Sequence, residues 1–163
     1  MSGRPDGQRG GPPDGRPRLL AIASGGGHFH QLAALAPAFD GHEVTWATTL
    51  PGLAEERGLG AAVIVPDCNR NEPVAALRSA LAIRRLVRQL RPAAVVSTGA
   101  LPGVIALWAG RRAGARTLWV DSVANAEEMS MSGRLARRVA DLRLSQWPHV
   151  AEAEGAEHAG SVL

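Results

Sequence analysis

The chain contains no lysine and no tyrosine, and its single cysteine is Cys68. Without lysine there is no amine for a Schiff base or for pyridoxal phosphate, and no P-loop lysine to meet terminal phosphates, so both chemistries are excluded. One cysteine cannot close an intramolecular disulfide, and no apolar signal peptide opens the chain, so a reducing cytoplasm is the expected setting. Aromatic residues make up only 4% of the chain. That leaves no stacking platform beside the arginines, and with no recognition motif present a nucleic-acid partner is not expected. No membrane span is expected either. Residues 93–110 carry no charge and have the length of a short span, but "STGALPG" at their centre would break a helix where every backbone hydrogen bond must be kept.

What is present is 163 residues, enough for one domain with an ordinary core, and 18 basic residues, all arginine, for a net charge of +3. Arginine in this abundance fits nucleic acid, an anionic membrane or a genome-wide coding bias, and the charge alone does not decide among them. Residues 1–17 are almost entirely Gly, Pro, Arg and Asp. They have too little apolar surface to repay ordering, and are expected to form a disordered tail ahead of a domain over 18–163.

From Arg18 onward, apolar β-rich runs at 19–24, 43–49, 61–66, 93–98, 117–121 and 142–146 alternate with helical segments. Runs that do not alternate with polar residues suit strands covered on both faces, which predicts an α/β fold with a doubly wound parallel sheet. The longest helix is expected over 73–90, opened by Pro73 and closed by Arg91-Pro92. Ala76, Ala80, Ile83, Val87 and Leu90 give it one apolar stripe, while Arg78, Arg85 and Arg88 gather on the other side. That basic side is either a solvated face or one that meets lipid headgroups.

Two glycine loops stand out. "SGGGHFHQL" at 24–32 follows the first strand and opens a helix that Pro37 ends or kinks. Gly25, Gly26 and Gly27 either make a tight turn or let an anion approach the free amides of the helix start. His28, at that start, suits a general base or an oxyanion partner. His30 stands where the dinucleotide fingerprint needs its third glycine, and the second strand ends in Thr48-Thr49 with no ribose-binding acid, which disfavours nicotinamide and flavin chemistry. The second loop, "STGALPGV" at 97–104, follows the fourth strand. In a doubly wound sheet strands one and four are neighbours, so both loops face the crevice at the topological switch point. No histidine pair has metal-ligand spacing, and neither a metal nor a cofactor is expected.

These segments, with "NRN" at 69–71, "DSVANAEEMSMSGRL" at 121–135, "LSQWP" at 144–148 and the closing "HAGSVL", occur in an order that resembles a glycosyltransferase subunit family. It is the family of the acceptor-binding, membrane-associated subunit of the two-part UDP-N-acetylglucosamine transferase that extends dolichol-linked sugar, with bacterial relatives in capsule and exopolysaccharide assembly. The resemblance covers 18–163. It implies a Rossmann-like domain equivalent to the N-terminal half of a GT-B enzyme, binding a polyprenyl-diphosphate-linked acceptor, while a small partner subunit holds the UDP-sugar donor. It further implies a protein inactive without that partner, peripheral on the inner face of the cell membrane, working by metal-independent inverting chemistry. Carried over by position, Gly25, Gly26, Gly27, Ser97, Thr98, Gly99, Pro102 and Ser122 fall on the acceptor and diphosphate site, with His28 as the base and Asp121 second. Asp121 stands where the family usually has glutamate, and Asn125 where it often has arginine. Arg78, Arg85, Arg88 and the segment 133–140 are the expected membrane-facing cations. A non-catalytic scaffold and a stand-alone nucleotide-sugar enzyme such as an epimerase are the competing readings.

Overall fold

A computed structural model describes residues 15–162. The expected disordered tail lies outside these residues for all but its last three positions. Six strands form a single parallel sheet in the order β3-β2-β1-β4-β5-β6. They are β1 (Arg18–Ile22), β2 (Glu43–Thr48), β3 (Val63–Ile64), β4 (Ala94–Ser97), β5 (Arg116–Val120) and β6 (Leu142–Leu144). The chain winds outward from β1 in one direction and from β4 in the other, so β1 and β4 are paired neighbours, with Leu20 opposite Val95 and Ile22 opposite Ser97. This places the strand-order reversal where the sequence pattern puts it.

Five helices cover the sheet: α1 (Gly27–Ala34), α2 (Pro73–Leu90), α3 (Ala100–Arg112), α4 (Met131–Ala136) and α5 (Pro148–Glu154). Because the side chains of a strand alternate between faces, β1 feeds two cores. Leu19 and Ala21 pack with Phe29 and Leu32 of α1 and with Trp46. Leu20 and Ile22 pack with Ile83 and Val87 of α2 and with Ala106 and Leu107 of α3. A central strand buried on both sides has no polar face to show, which is why its sequence reads as an unbroken apolar run.

α2 has the expected bounds. Pro73 fits a first turn that needs no amide donor, and Arg91 stops the helix in the left-handed region at φ 48, a conformation compatible with the following Pro92. α1 is shorter than its apolar pattern suggests. It ends at Ala34, and Pro37 turns the chain into a 3₁₀ segment over Ala36–Phe39 that still buries Phe39. β3 departs most from expectation: only Val63 and Ile64 pair with β2, and both are exposed. An edge strand with no helix over it lacks the two-sided burial that the central strands have.

Candidate functional site

The two glycine loops meet at the carboxyl ends of β1 and β4. In the first, the Gly25 amide donates to Thr49 Oγ1 at 2.9 Å, and the Leu50 side chain lies directly over the Gly25 Cα. Leu50 is half exposed there, an apolar lip on the crevice. Gly26 precedes α1 at φ 78, which favours glycine. The first-turn amides of α1, beginning at Gly27, have no acceptor within the helix, and the positive end of its dipole points the same way. In the second loop, Gly99 is followed by Ala100 at φ 64, a left-handed alanine at the first position of α3. Strain of this kind costs on the order of 1 kcal/mol or more and persists where the surrounding structure fixes the backbone.

His28 joins the loops. Its ring presses against Gly99 so closely that a Cβ at position 99 would fall inside the ring's van der Waals envelope. Nδ1 is buried against this loop with no hydrogen-bond partner, while the residue as a whole stays partly exposed. Thr98 Oγ1 donates to the His28 carbonyl at 2.6 Å, tying the start of α1 to the end of β4.

Several residues expected to touch a ligand instead build the crevice. The Ser97 hydroxyl is fully buried, accepts the Gly99 amide at 3.4 Å and points at α3, where only Gly103 leaves it room. Pro102 is buried in the first turn of α3. Asp121, the second candidate base, is 1% exposed and saturated. Its Oδ1 accepts from Trp119 Nε1 (3.0 Å) and Ser130 Oγ (2.5 Å), and its Oδ2 from Asn125 Nδ2 (3.0 Å) and the Ser130 amide (2.9 Å). A carboxylate with four donors has no lone pair left for an acceptor proton, so Asp121 acts as a positioning residue that ties the loop over 121–130 to β5 and to the Ser130 cap of α4.

The Ser122 hydroxyl is likewise engaged. It accepts from Gln31 Nε2 at 2.9 Å and from the Ala124 amide at 3.2 Å. Gln31, one turn after His28 on α1, also accepts the Val123 amide (3.0 Å) and Gln146 Nε2 (2.9 Å). Gln146 in turn accepts from Ser161 and the Val162 amide, and Trp147 Nε1 donates to the Val123 carbonyl. Neither glutamine is marked by residue type as chemical. Each does lie in one of the segments singled out in the sequence, "SGGGHFHQL" and "LSQWP", and the structure joins those segments to "DSVAN" and "GSV" in one network.

Elsewhere, Cys68 is buried, and desolvation pushes its thiol above the ordinary value, which keeps it protonated and unreactive at neutral pH. Burial lowers the guanidinium of Arg143, which donates to the carbonyls of Gly133, Glu154 and Gly155 and so pins α5 to α4. It remains charged, as an arginine does in proteins. Among the described residues no group of three His, Cys, Asp or Glu side chains is placed to hold a metal ion. Arg78, Arg85 and Arg88 are all exposed on α2. The other basic segment does not form the expected helical face: α4 ends at Ala136, and Arg134 is paired with Glu128 (2.9 Å) and Glu154 (2.8 Å). No helix among the described residues is long and apolar enough to cross a membrane.

No family model and no curated protein matches the chain. Solved structures do. MurG of Acinetobacter baumannii is similar at 21% identity with a TM-score of 0.67, over 82% of this chain and 43% of that one. A UDP-GlcNAc 2-epimerase of Neisseria meningitidis bound to UDP-GlcNAc is similar at 9% identity and 0.66, over 84% and 42%. A glycosyltransferase of Rickettsia africae is similar at 12% identity and 0.63, over 87% and 41%. At these identities the likeness is one of fold: the chain has the Rossmann-like architecture of one half of a GT-B fold, and it spans less than half the length of each of these structures.

Proposed function

We propose that this chain is the acceptor-binding half of a two-part glycosyltransferase, working at the inner face of the cell membrane on a polyprenyl-diphosphate-linked acceptor. In this reading a separate partner chain binds the UDP-sugar. The observation that carries it is the convergence of two helix N-termini at the β1/β4 switch point, with the His28 ring held between the loops that precede them. Unpaired amides on two neighbouring helix starts suit a diphosphate, and both helix dipoles favour it.

The chemistry follows from the placement of His28. The acceptor hydroxyl attacks the anomeric carbon of the donor sugar, and its proton passes to His28 Nε2 as the carbon–oxygen bond to UDP breaks. The departing diphosphate is steadied by positive dipoles and by the partner's groups. Asp121, Gln31 and Gln146 keep the facing loop in place and take no proton.

The test is UDP release from a UDP-sugar in the presence of lipid-linked acceptor, for this chain alone and with a donor-binding chain added. Release only with both chains is the expected result. Release from this chain alone would show that it holds a complete site, and a stand-alone nucleotide-sugar enzyme would then be the better reading.

A further inference from the structure

Between Glu72 and Asp121 the sequence holds eight arginines and no acidic residue, whereas the rest of the chain sets ten arginines against fifteen acids. The modest net charge therefore hides a strong segregation, and enrichment in arginine by coding bias would not remove the acids. The fold concentrates it. A concavity of about 830 Å³ runs between the C-terminal parts of α2 and α3 and is lined by Arg84, Arg85, Arg88 and Arg91; an adjoining one of about 400 Å³ adds Arg112 and Trp108. It lies at the amino ends of the strands, the end of the sheet opposite the β1/β4 crevice, because α2 and α3 both end where β4 and β5 begin. None of these five arginines has a carboxylate partner among the described residues. Compensation of the helix dipoles accounts for cations in the last turn, but Arg84 and Arg85 lie further from the end of α2.

Apolar groups border the same groove. Val74, Leu77 and Leu81 are 63%, 61% and 58% exposed, and at helical spacing they lie within about 60° of one another on the outer face of α2. Leu81 lines the groove itself, and Trp108, 40% exposed, carries the Arg112 guanidinium 4.8 Å above its ring. Phosphate recognition alone would not need the apolar row. Hydrophobic docking alone would not need unpaired guanidiniums.

We propose that the outer face of α2 and α3 is a docking surface for an anionic phospholipid bilayer, with the arginine groove taking headgroup phosphates and the Val74–Leu77–Leu81 row entering the acyl boundary. The proposal rests on the membrane-surface part of the function proposed above and specifies its site. Charge complementarity selects an anionic surface, and a row of apolar side chains beside the charges selects lipid over a soluble polyanion. Arg84 and Arg88 belong to this surface together with the expected Arg78 and Arg85, while the segment 133–140 does not.

The test is co-sedimentation of the full chain with phosphatidylcholine vesicles, with and without phosphatidylglycerol, at low salt. Binding is expected only with phosphatidylglycerol. Each arginine at such a surface contributes about fivefold in partitioning, so Arg84→Gln/Arg88→Gln is expected to lose about 25-fold. The charge-matched control Arg137→Gln/Arg138→Gln is expected to bind like the wild type, and Val74→Ser/Leu77→Ser/Leu81→Ser to lose binding even at low salt. Failure of the wild-type chain to bind anionic vesicles would overturn the proposal, and so would an equal loss in the control. UDP release by the assembled enzyme on detergent-dispersed acceptor does not depend on this surface, so the crevice reading stands or falls separately.

Discussion

Gly99 has no room for a methyl group, because the His28 ring occupies the place a Cβ would take. Gly27, by contrast, has open space around it and an ordinary φ. Gly99→Ala is therefore expected to cost about 1–3 kcal/mol of stability by forcing the ring or the loop aside. It should also lower turnover of the assembled enzyme by about a hundredfold, the typical contribution of a positioned base, much as His28→Ala would. Gly27→Ala should leave stability unchanged or slightly raised. Thermal melts of Gly99→Ala and Gly27→Ala and the UDP-release rates of Gly99→Ala and His28→Ala check this, and a Gly27→Ala variant that melts as low as Gly99→Ala would contradict the contact described. The sequence marks these glycines as a class, yet it cannot show that Gly99 is needed by a histidine 71 positions earlier. For the same reason it cannot show that Asp121, a plausible base by type, is used up by Trp119, Asn125 and Ser130.

Among the elements, those with a local cause were legible. α2 is bounded by prolines that act through their own backbone, and the central strands announce themselves through burial on both faces. β3 was overestimated because an edge strand and a buried one can share an apolar run, and the loop over 121–130 was illegible because side chains from α1 and from the turn before α5 hold it. The connection into β6 shows a third kind of support. Asp141 Oδ2 accepts the Thr117 amide at 2.8 Å and the Thr117 hydroxyl at 3.1 Å, and the amide bond holds this carboxyl below the ordinary aspartate value. A carboxylate with a depressed folded-state pKa adds stability above its unfolded value and loses it as pH falls through the folded one. Asp141→Asn should thus melt below the wild type at neutral pH, with the gap closing under acid conditions beneath the ordinary carboxylate range. A gap independent of pH would mean that the charge of Asp141 contributes nothing.

For the whole molecule, one half of a GT-B fold presents two separate surfaces: the β1/β4 switch point where the strand order reverses, and a cationic, partly apolar face at α2 and α3. The order of the sheet was legible because strand and helix alternate and two glycine loops follow strands one and four. The groove was not, since it forms between the ends of two helices, and only Arg78, Arg85 and Arg88 were visible as a stripe. The central claim is that the crevice of this chain binds the acceptor diphosphate and leaves the UDP-sugar to a partner. Its most direct test is a ¹H–¹⁵N NMR titration of the chain alone with a short-chain polyprenyl diphosphate sugar and, separately, with UDP-sugar. The lipid diphosphate is expected to shift the amides of Gly26, Gly27, His28, Ala100 and Leu101, and the UDP-sugar to leave them nearly unmoved. Shifts at those amides with UDP-sugar and none with the lipid diphosphate would contradict it.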